Sequence, residues 1–289
     1  MALDLSRSRP LRRATLAVIA GLMALSVAAC GSPSVPTTAQ TSSAATRPSP
    51  ATSIDGPQID QLPAAPGPSP QPSAPDLSTT AGQTTYLTQV FADIQSMWEK
   101  EFASAGGTYA PAQLELFQSQ VASGCGIQSA NVGPFYCSGD RTVYLDIQFF
   151  SAMEAQFGVS GDFAEAYVVA HEIGHHVQNL LGITSRVAAA ERADPAQKNA
   201  LSVKVELQAD CLAGVWARSA YQRSLMQPGD IEEALHAAQV VGDDFLANAS
   251  GSSVTPDSWT HGSSAQRQQW FTTGYTDGRP AACDTFAVS

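Results

Sequence analysis

The spacing of apolar residues divides the chain into three unlike stretches. Residues 14–29 are apolar, small and uncharged, and Arg7, Arg9, Arg12 and Arg13 precede them. Residues 31–80 are Pro, Ser, Thr, Ala and Gln with almost no large apolar side chain. From residue 81 onward aliphatic and aromatic residues recur at regular intervals. Tyr86, Val90, Phe91, Ile94, Met97, Trp98 and Phe102 fall on one side of a helix. Residues 114–117 and 142–146 are rich in aliphatic, β-branched and aromatic side chains and predict short strands, with Gly and Pro between them. Residues 163–181 predict a buried helix, apolar nearly all round. Residues 198–223 predict a second, and residues 231–248 a third, with Asp230 and Glu233 at capping-box spacing. A last helix is expected from Ser263, with Gln266 completing another such box. Few strands followed by several helices indicate an α+β domain, mostly helical with a small sheet.

Three segments follow from this pattern: a targeting segment at 1–29, a linker at 30–80 and one domain at 81–289. The linker segment holds 11 of the 18 prolines and cannot bury enough apolar surface to offset its ordering entropy. It is expected to be a semi-extended tether. About two hundred residues remain, a comfortable size for a single core.

Composition sharpens the picture. With 15 Lys+Arg against 26 Asp+Glu the chain carries a net charge of -11, which argues against nucleic acid as a partner, because phosphate binding needs surplus cations. The first thirty residues read as a secretory signal. Their end, Val27-Ala28-Ala29-Cys30, resembles a bacterial lipobox, in which the Cys is acylated and becomes the new N-terminus. An uncleaved anchor, or a signal cut at another small residue, is the other reading. The expectation is an extracytoplasmic protein held at a bacterial cell membrane by lipid on Cys30. Removing residues 1–29 leaves 11 basic and 25 acidic side chains, so no polybasic patch supplements the acyl chains.

The chemistry is concentrated on two predicted helices. His171-Glu172-Ile173-Gly174-His175 is an H-E-x-x-H, whose imidazoles stand at i and i+4 on one helix face and can share a metal ion. Glu172, about 100° around the helix, can reach a water on that metal. Zinc suits imidazole ligands and an open position for water. The third ligand cannot come from the extended motif that needs Gly and His at the next positions, because Gln178 and Leu181 stand there. On the next helix Glu206 and Asp210 share a face, and Glu206 is the candidate third ligand. Asp210 fits the role of accepting the distal N–H of a ligand imidazole.

These runs, together with Gly133-Pro134-Phe135-Tyr136-Cys137, Gly161 to Tyr167, Gly242-Asp243-Asp244 and Thr260-His261-Gly262, resemble the bacterial neutral zinc metallopeptidase family, a gluzincin-like group. The resemblance covers the chain from about residue 81 to its end. It implies a zincin-like fold, Zn2+ as cofactor, and hydrolysis of a polypeptide substrate with His171, His175 and Glu206 as ligands and Glu172 as base. Of the remaining histidines, His261 is the candidate catalytic donor to the oxyanion, with Tyr144, Tyr221 and Arg267 as competitors. The strand at 142–146 could pair with an extended substrate backbone.

Cys125, Cys137, Cys211 and Cys283 lack metal-binding spacing and in an exported protein should form two disulfides. Of three pairings, Cys125 with Cys137 is preferred for its closeness across a Gly/Pro turn, and Cys211 with Cys283 then ties the tail to the ligand-bearing helix. A non-hydrolytic zinc module that positions envelope partners is the competing class, and hydrolysis of a cell-wall peptide bridge is a third. The intact Glu172 favours an enzyme.

Overall fold

A computed structural model describes residues 76–287. The targeting segment, Cys30 and most of the linker lie outside the described residues. The first helix, α1 (Thr80–Ser104), starts where Thr79 accepts a hydrogen bond from the Gly82 N–H, and it buries Leu87, Phe91, Ile94, Met97, Trp98 and Phe102. Strand β1 (Gln113–Phe117) follows, then a hairpin of β2 (Gln120–Ser123) and β3 (Gly126–Ser129), then β4 (Phe135–Cys137) and β5 (Thr142–Asp146). In the three-stranded sheet β5 lies in the centre, parallel to β1 and antiparallel to β4. All five residues of β5 are buried. Both of its edges are occupied, so the strand expected to receive a substrate cannot do so. The free edge near the helix that carries His171 and His175 belongs to β4.

Asp146 is at once the last residue of β5 and the N-cap of α2 (Ile147–Phe157), accepting from the Gln148 N–H. The core helix is α3 (Asp162–Leu180), whose residues 163–178 are all buried. It packs against α1, α5 (Lys198–Gln222) and α6 (Asp230–Val240), with α4 (Ile183–Ala193) beyond its C-terminal end. The chain closes with α7 (Asp243–Ser250) and α8 (Ser264–Asp277). The result is an α+β arrangement, mostly helical with two small sheets.

One expected helix is two. The predicted run at 231–248 breaks at Val241–Gly242, where a Cβ on Gly242 would lie 2.4 Å from the Ser264 nitrogen. That close approach lets the loop before α8 pack against the chain there. The expected capping box at Asp230 and Glu233 is also absent: Gly229 is the N-cap, and Asp230 accepts from Gln227. Glu233 instead accepts from the Phe163 N–H, capping the start of α3 from a neighbouring element. At α8 the box does form, with the Ser263 hydroxyl accepting from the Gln266 N–H and the Gln266 side chain accepting from the Ser263 N–H.

Two disulfides, Cys125–Cys137 and Cys211–Cys283, fasten the hairpin turn to β4 and the C-terminal segment to α5. Helices α5 and α8 cross backbone against backbone. A Cβ on Gly274 would sit 1.9 Å from the Cys211 carbonyl oxygen, and one on Gly214 would sit 2.1 Å from that of Phe271. Gly274→Ala should therefore force the helices apart and destabilise the fold by roughly 1–3 kcal/mol, the usual range for overpacking. Thermal unfolding measures this, and an unchanged Tm would contradict the backbone-to-backbone crossing.

Candidate metal centre

Close helix approach also builds the site. On α3, Gly174 faces Ala209 of α5 so tightly that a Cβ would lie 3.0 Å from the Ala209 Cα. This brings the i and i+4 imidazoles of His171 and His175 opposite Glu206, one turn before Ala209 on α5. The His171 Nε2 lies 3.1 Å from one Glu206 oxygen and the His175 Nε2 lies 3.4 Å from the other. Nitrogen and oxygen ligands at about 2.0–2.1 Å around a tetrahedral zinc ion stand roughly 3.3 Å apart. Both imidazole-to-carboxylate separations are close to that spacing. All three are buried, and their ligand atoms lie within 4.8 Å of one another. The His175 Nε2 has no hydrogen-bond partner and almost no exposure, which is costly for a buried polar atom. The donor set fits zinc, with both imidazoles offering Nε2.

The other ring nitrogens are held from behind. His171 donates from Nδ1 to Asp210 over 2.8 Å. Asp210 also receives the Tyr167 hydroxyl at 2.6 Å and the Arg267 Nε and Nη2 at 2.9 Å each. His175 donates from Nδ1 to the Gln178 Oε1 over 2.9 Å, and the Gln178 amide is fixed in turn by the Val205 carbonyl and by Gln208. Nothing in the sequence pattern singles out Gln178 or Tyr167. Their one signal is position, at i+3 from His175 and i−4 from His171 on the same helix.

Burial sets the charge pattern. It opposes ionisation of Glu206, but the imidazoles of His175 and His171, and more weakly His261, hold that carboxyl well below the usual range. It opposes ionisation of Asp210 too, and Arg267 and His171 outweigh it. His171 is pushed down by burial yet rises to about 10, because Asp210 and Glu206 both favour its cation. His175 lacks such compensation and is lowered by burial. Glu172 moves the other way: burial raises it to about 7, against the attraction of His171. The Tyr136 backbone N–H, on β4, reaches its carboxylate. Glu172 thus stands beside the candidate ligands and against the unpaired edge of β4.

His261 lies in the loop before α8. The Asp243 carboxylate gathers this loop by accepting from the N–H groups of Thr260, His261 and Gly262 at 2.7–2.9 Å, and it faces the His261 Nδ1 at 3.2 Å. The His261 Nε2 is buried without a partner, and its ring is close enough for Glu206 to feel its charge. His261 does not line the cleft over the site, whereas Arg267 does. Arg267 commits its guanidinium to Asp210, so its role is structural first. Tyr144 donates to Asp140, and Tyr221 is exposed about 22 Å along α5 from Glu206 at 1.5 Å per residue, which removes both as oxyanion donors.

The Gln178 contact yields a test. Gln178→Leu should weaken zinc binding by roughly 10- to 100-fold, as the loss of a group orienting a ligand imidazole does. Chelator competition on the folded variant, checked by circular dichroism, measures it. Wild-type affinity would mean that His175 needs no orienting partner.

Comparison with known proteins gives a consistent account. The model of the family described as "Putative neutral zinc metallopeptidase" matches residues 54–286. The uncharacterized protein YpfJ of Escherichia coli strain K12 is 45% identical over 221 residues, which is 76% of this chain and 77% of that protein. An uncharacterized protein of Mycobacterium tuberculosis strain H37Rv is 48% identical over 192 residues, 63% of this chain and 64% of its own. No solved structure matches the chain at a significant level. A family match over most of the chain, with the facing imidazoles and carboxylate inside it, places this protein in the neutral zinc metallopeptidase family.

Proposed function

We propose that the protein is a zincin-type peptidase that hydrolyses polypeptide bonds with zinc held by His171, His175 and Glu206. One observation carries the reading: two buried imidazoles and a buried carboxylate, their ligand atoms within 4.8 Å of one another, stand beside a second buried carboxylate that is not one of them. A bound zinc ion would supply Lewis-acid polarisation and acidify water. The chain's own residues do the rest. Glu172, raised toward neutrality by burial, takes the proton from the attacking water and gives it to the leaving amine as the C–N bond breaks. His261, held through Nδ1 by Thr260 and Asp243, is the residue we assign to the developing oxyanion, through its Nε2. The open edge of β4 supplies backbone groups for an extended substrate, in place of β5. A metal module without catalysis would have no use for Glu172 in this position.

Glu172→Gln is the decisive substitution, because it keeps the shape and removes the base. The variant should hold zinc as the wild type does while cleavage falls by about 10²–10⁴ or more. Zinc content measured alongside hydrolysis of unfolded polypeptides reads both. Undiminished cleavage by the zinc-loaded variant would overturn the mechanism. A wild type and variant equally inactive yet sharing a binding partner would support the module.

We infer further that the domain works outside the cytoplasm, attached to the membrane by lipid on Cys30. The support lies in the sequence of residues 1–30, and among the described residues no helix is long and apolar enough to cross a membrane. Cys30→Ser should release the protein from membranes or leave an unprocessed precursor. Unchanged fractionation and mobility would rule out Cys30 as the attachment point.

A further inference from the structure

Two rows of side chains run side by side along α3. His171, His175 and Gln178, spaced i, i+4 and i+7, turn toward α5, where Glu206, Asp210, Val205 and Gln208 meet them. Glu172, His176 and Asn179 repeat the spacing one residue on, about 100° around the helix. This second row meets β4. The Tyr136 hydroxyl, from the middle residue of that strand, donates to the His176 Nδ1 over 2.9 Å and accepts from the Asn179 Nδ2 over 2.9 Å. The Glu172 carboxylate stands against the backbone of the same residue. Tyr136 is thus gripped by the whole row.

The grip has a defined polarity. The Ala110 carbonyl can only accept, so the His176 Nε2, 2.8 Å away, carries the ring proton and Nδ1 accepts from Tyr136. Ala110 lies between α1 and β1, so one imidazole joins the segment entering β1 to β4, the two strands that flank β5. The ring is fully buried, with the rings of Tyr109 and Tyr136 edge-on at 5.3 and 5.4 Å. It cannot turn without breaking both hydrogen bonds. Strand β4 itself is three residues long and pairs on one side only, with β5. So short a ladder holds an edge weakly, and the side-chain grip supplies what the ladder lacks.

We propose that His176 and Asn179 are positioning residues, which act through the Tyr136 hydroxyl to hold the β4 edge at a fixed height over Glu172 for an extended polypeptide to lie along. Neither touches the substrate. The inference rests on the peptidase reading of the site, with β4 as the strand that receives substrate. It divides α3 by function: one row holds the metal, and the next ties the base and the substrate strand to the same helix.

The test uses the zinc-loaded full chain and a series of peptides lengthened around one scissile bond. Wild-type kcat/KM should rise with length as the substrate backbone gains contacts along β4. Tyr136→Phe removes the hydroxyl and keeps the ring. It should lower kcat/KM for the longest peptide by about 3- to 10-fold, the value of one hydrogen bond, mainly through KM. Cleavage of the shortest peptide and zinc content should stay at wild type. Asn179→Ala should act in the same direction, and the double variant should lose no more than Tyr136→Phe alone, because both act through one oxygen. Amide hydrogen exchange in β4 should quicken in each variant. Variants that cleave long peptides as the wild type does overturn the inference and leave the peptidase standing. So do a wild type indifferent to peptide length, an equal loss at every length, and loss of zinc from a folded variant. A zinc-loaded wild type that cleaves no peptide overturns the inference together with the peptidase reading.

Discussion

The structure depends on one buried carboxylate. Asp210 has no exposed surface and receives four hydrogen bonds, from Tyr167, from His171 and twice from Arg267. These donors come from α3 and α8, so a single side chain on α5 ties three helices together. Breaking such a pair from one side costs about 3–5 kcal/mol, because it strands a charge in the interior. The same carboxylate fixes the His171 ring with Nε2 toward Glu206. Fold and site thus share one anchor, and the close helix crossings at Gly174 and Gly274 are what bring its partners within reach.

Around that anchor the polar groups are sorted by what they face. His175 rests on Gln178, and His176, one residue on, turns to the opposite side, where its Nδ1 accepts the Tyr136 hydroxyl and its Nε2 donates to the Ala110 carbonyl. His176 is lowered by burial to about 4, which keeps it neutral in that role. Tyr136 is therefore held by its hydroxyl against α3 while its backbone N–H reaches Glu172. Adjacent histidines on one helix serve different ends: one turns Nε2 toward Glu206, and the other pins the sheet edge beside Glu172.

Much of this is legible in the sequence wherever the information is local. The apolar period of α3 and α5 marks those helices to within a residue and that of α1 marks its buried face, and the i, i+4 spacing of His171 and His175, and of Glu206 and Asp210, marks the faces that meet. The Ser263–Gln266 box is a local signal and it forms. The remainder depends on contacts between distant residues. Glu233 matches a box on its own helix but spends its carboxylate on Phe163, 70 residues away. Arg267 reaches Asp210 across 57 residues, which no spacing rule reveals. Strand β5 reads as a good partner for substrate because its composition is right for a strand; the same composition suits a central strand buried on both edges. Helix α2 escapes notice because Asp146 ends β5 and caps α2 with no linker between them.

The central claim is that His171, His175 and Glu206 hold one zinc ion through Nε2, Nε2 and a carboxylate oxygen. The most direct measurement is a crystal structure of the zinc-soaked protein with anomalous data on both sides of the zinc absorption edge. The account predicts a single strong peak about 2.0–2.1 Å from each of those three groups, with the Asp210 and Gln178 hydrogen bonds to the far ring nitrogens unbroken. A fully soaked crystal with no peak between α3 and α5, or with zinc bound by Asp210 or His261 in place of Glu206, would contradict it.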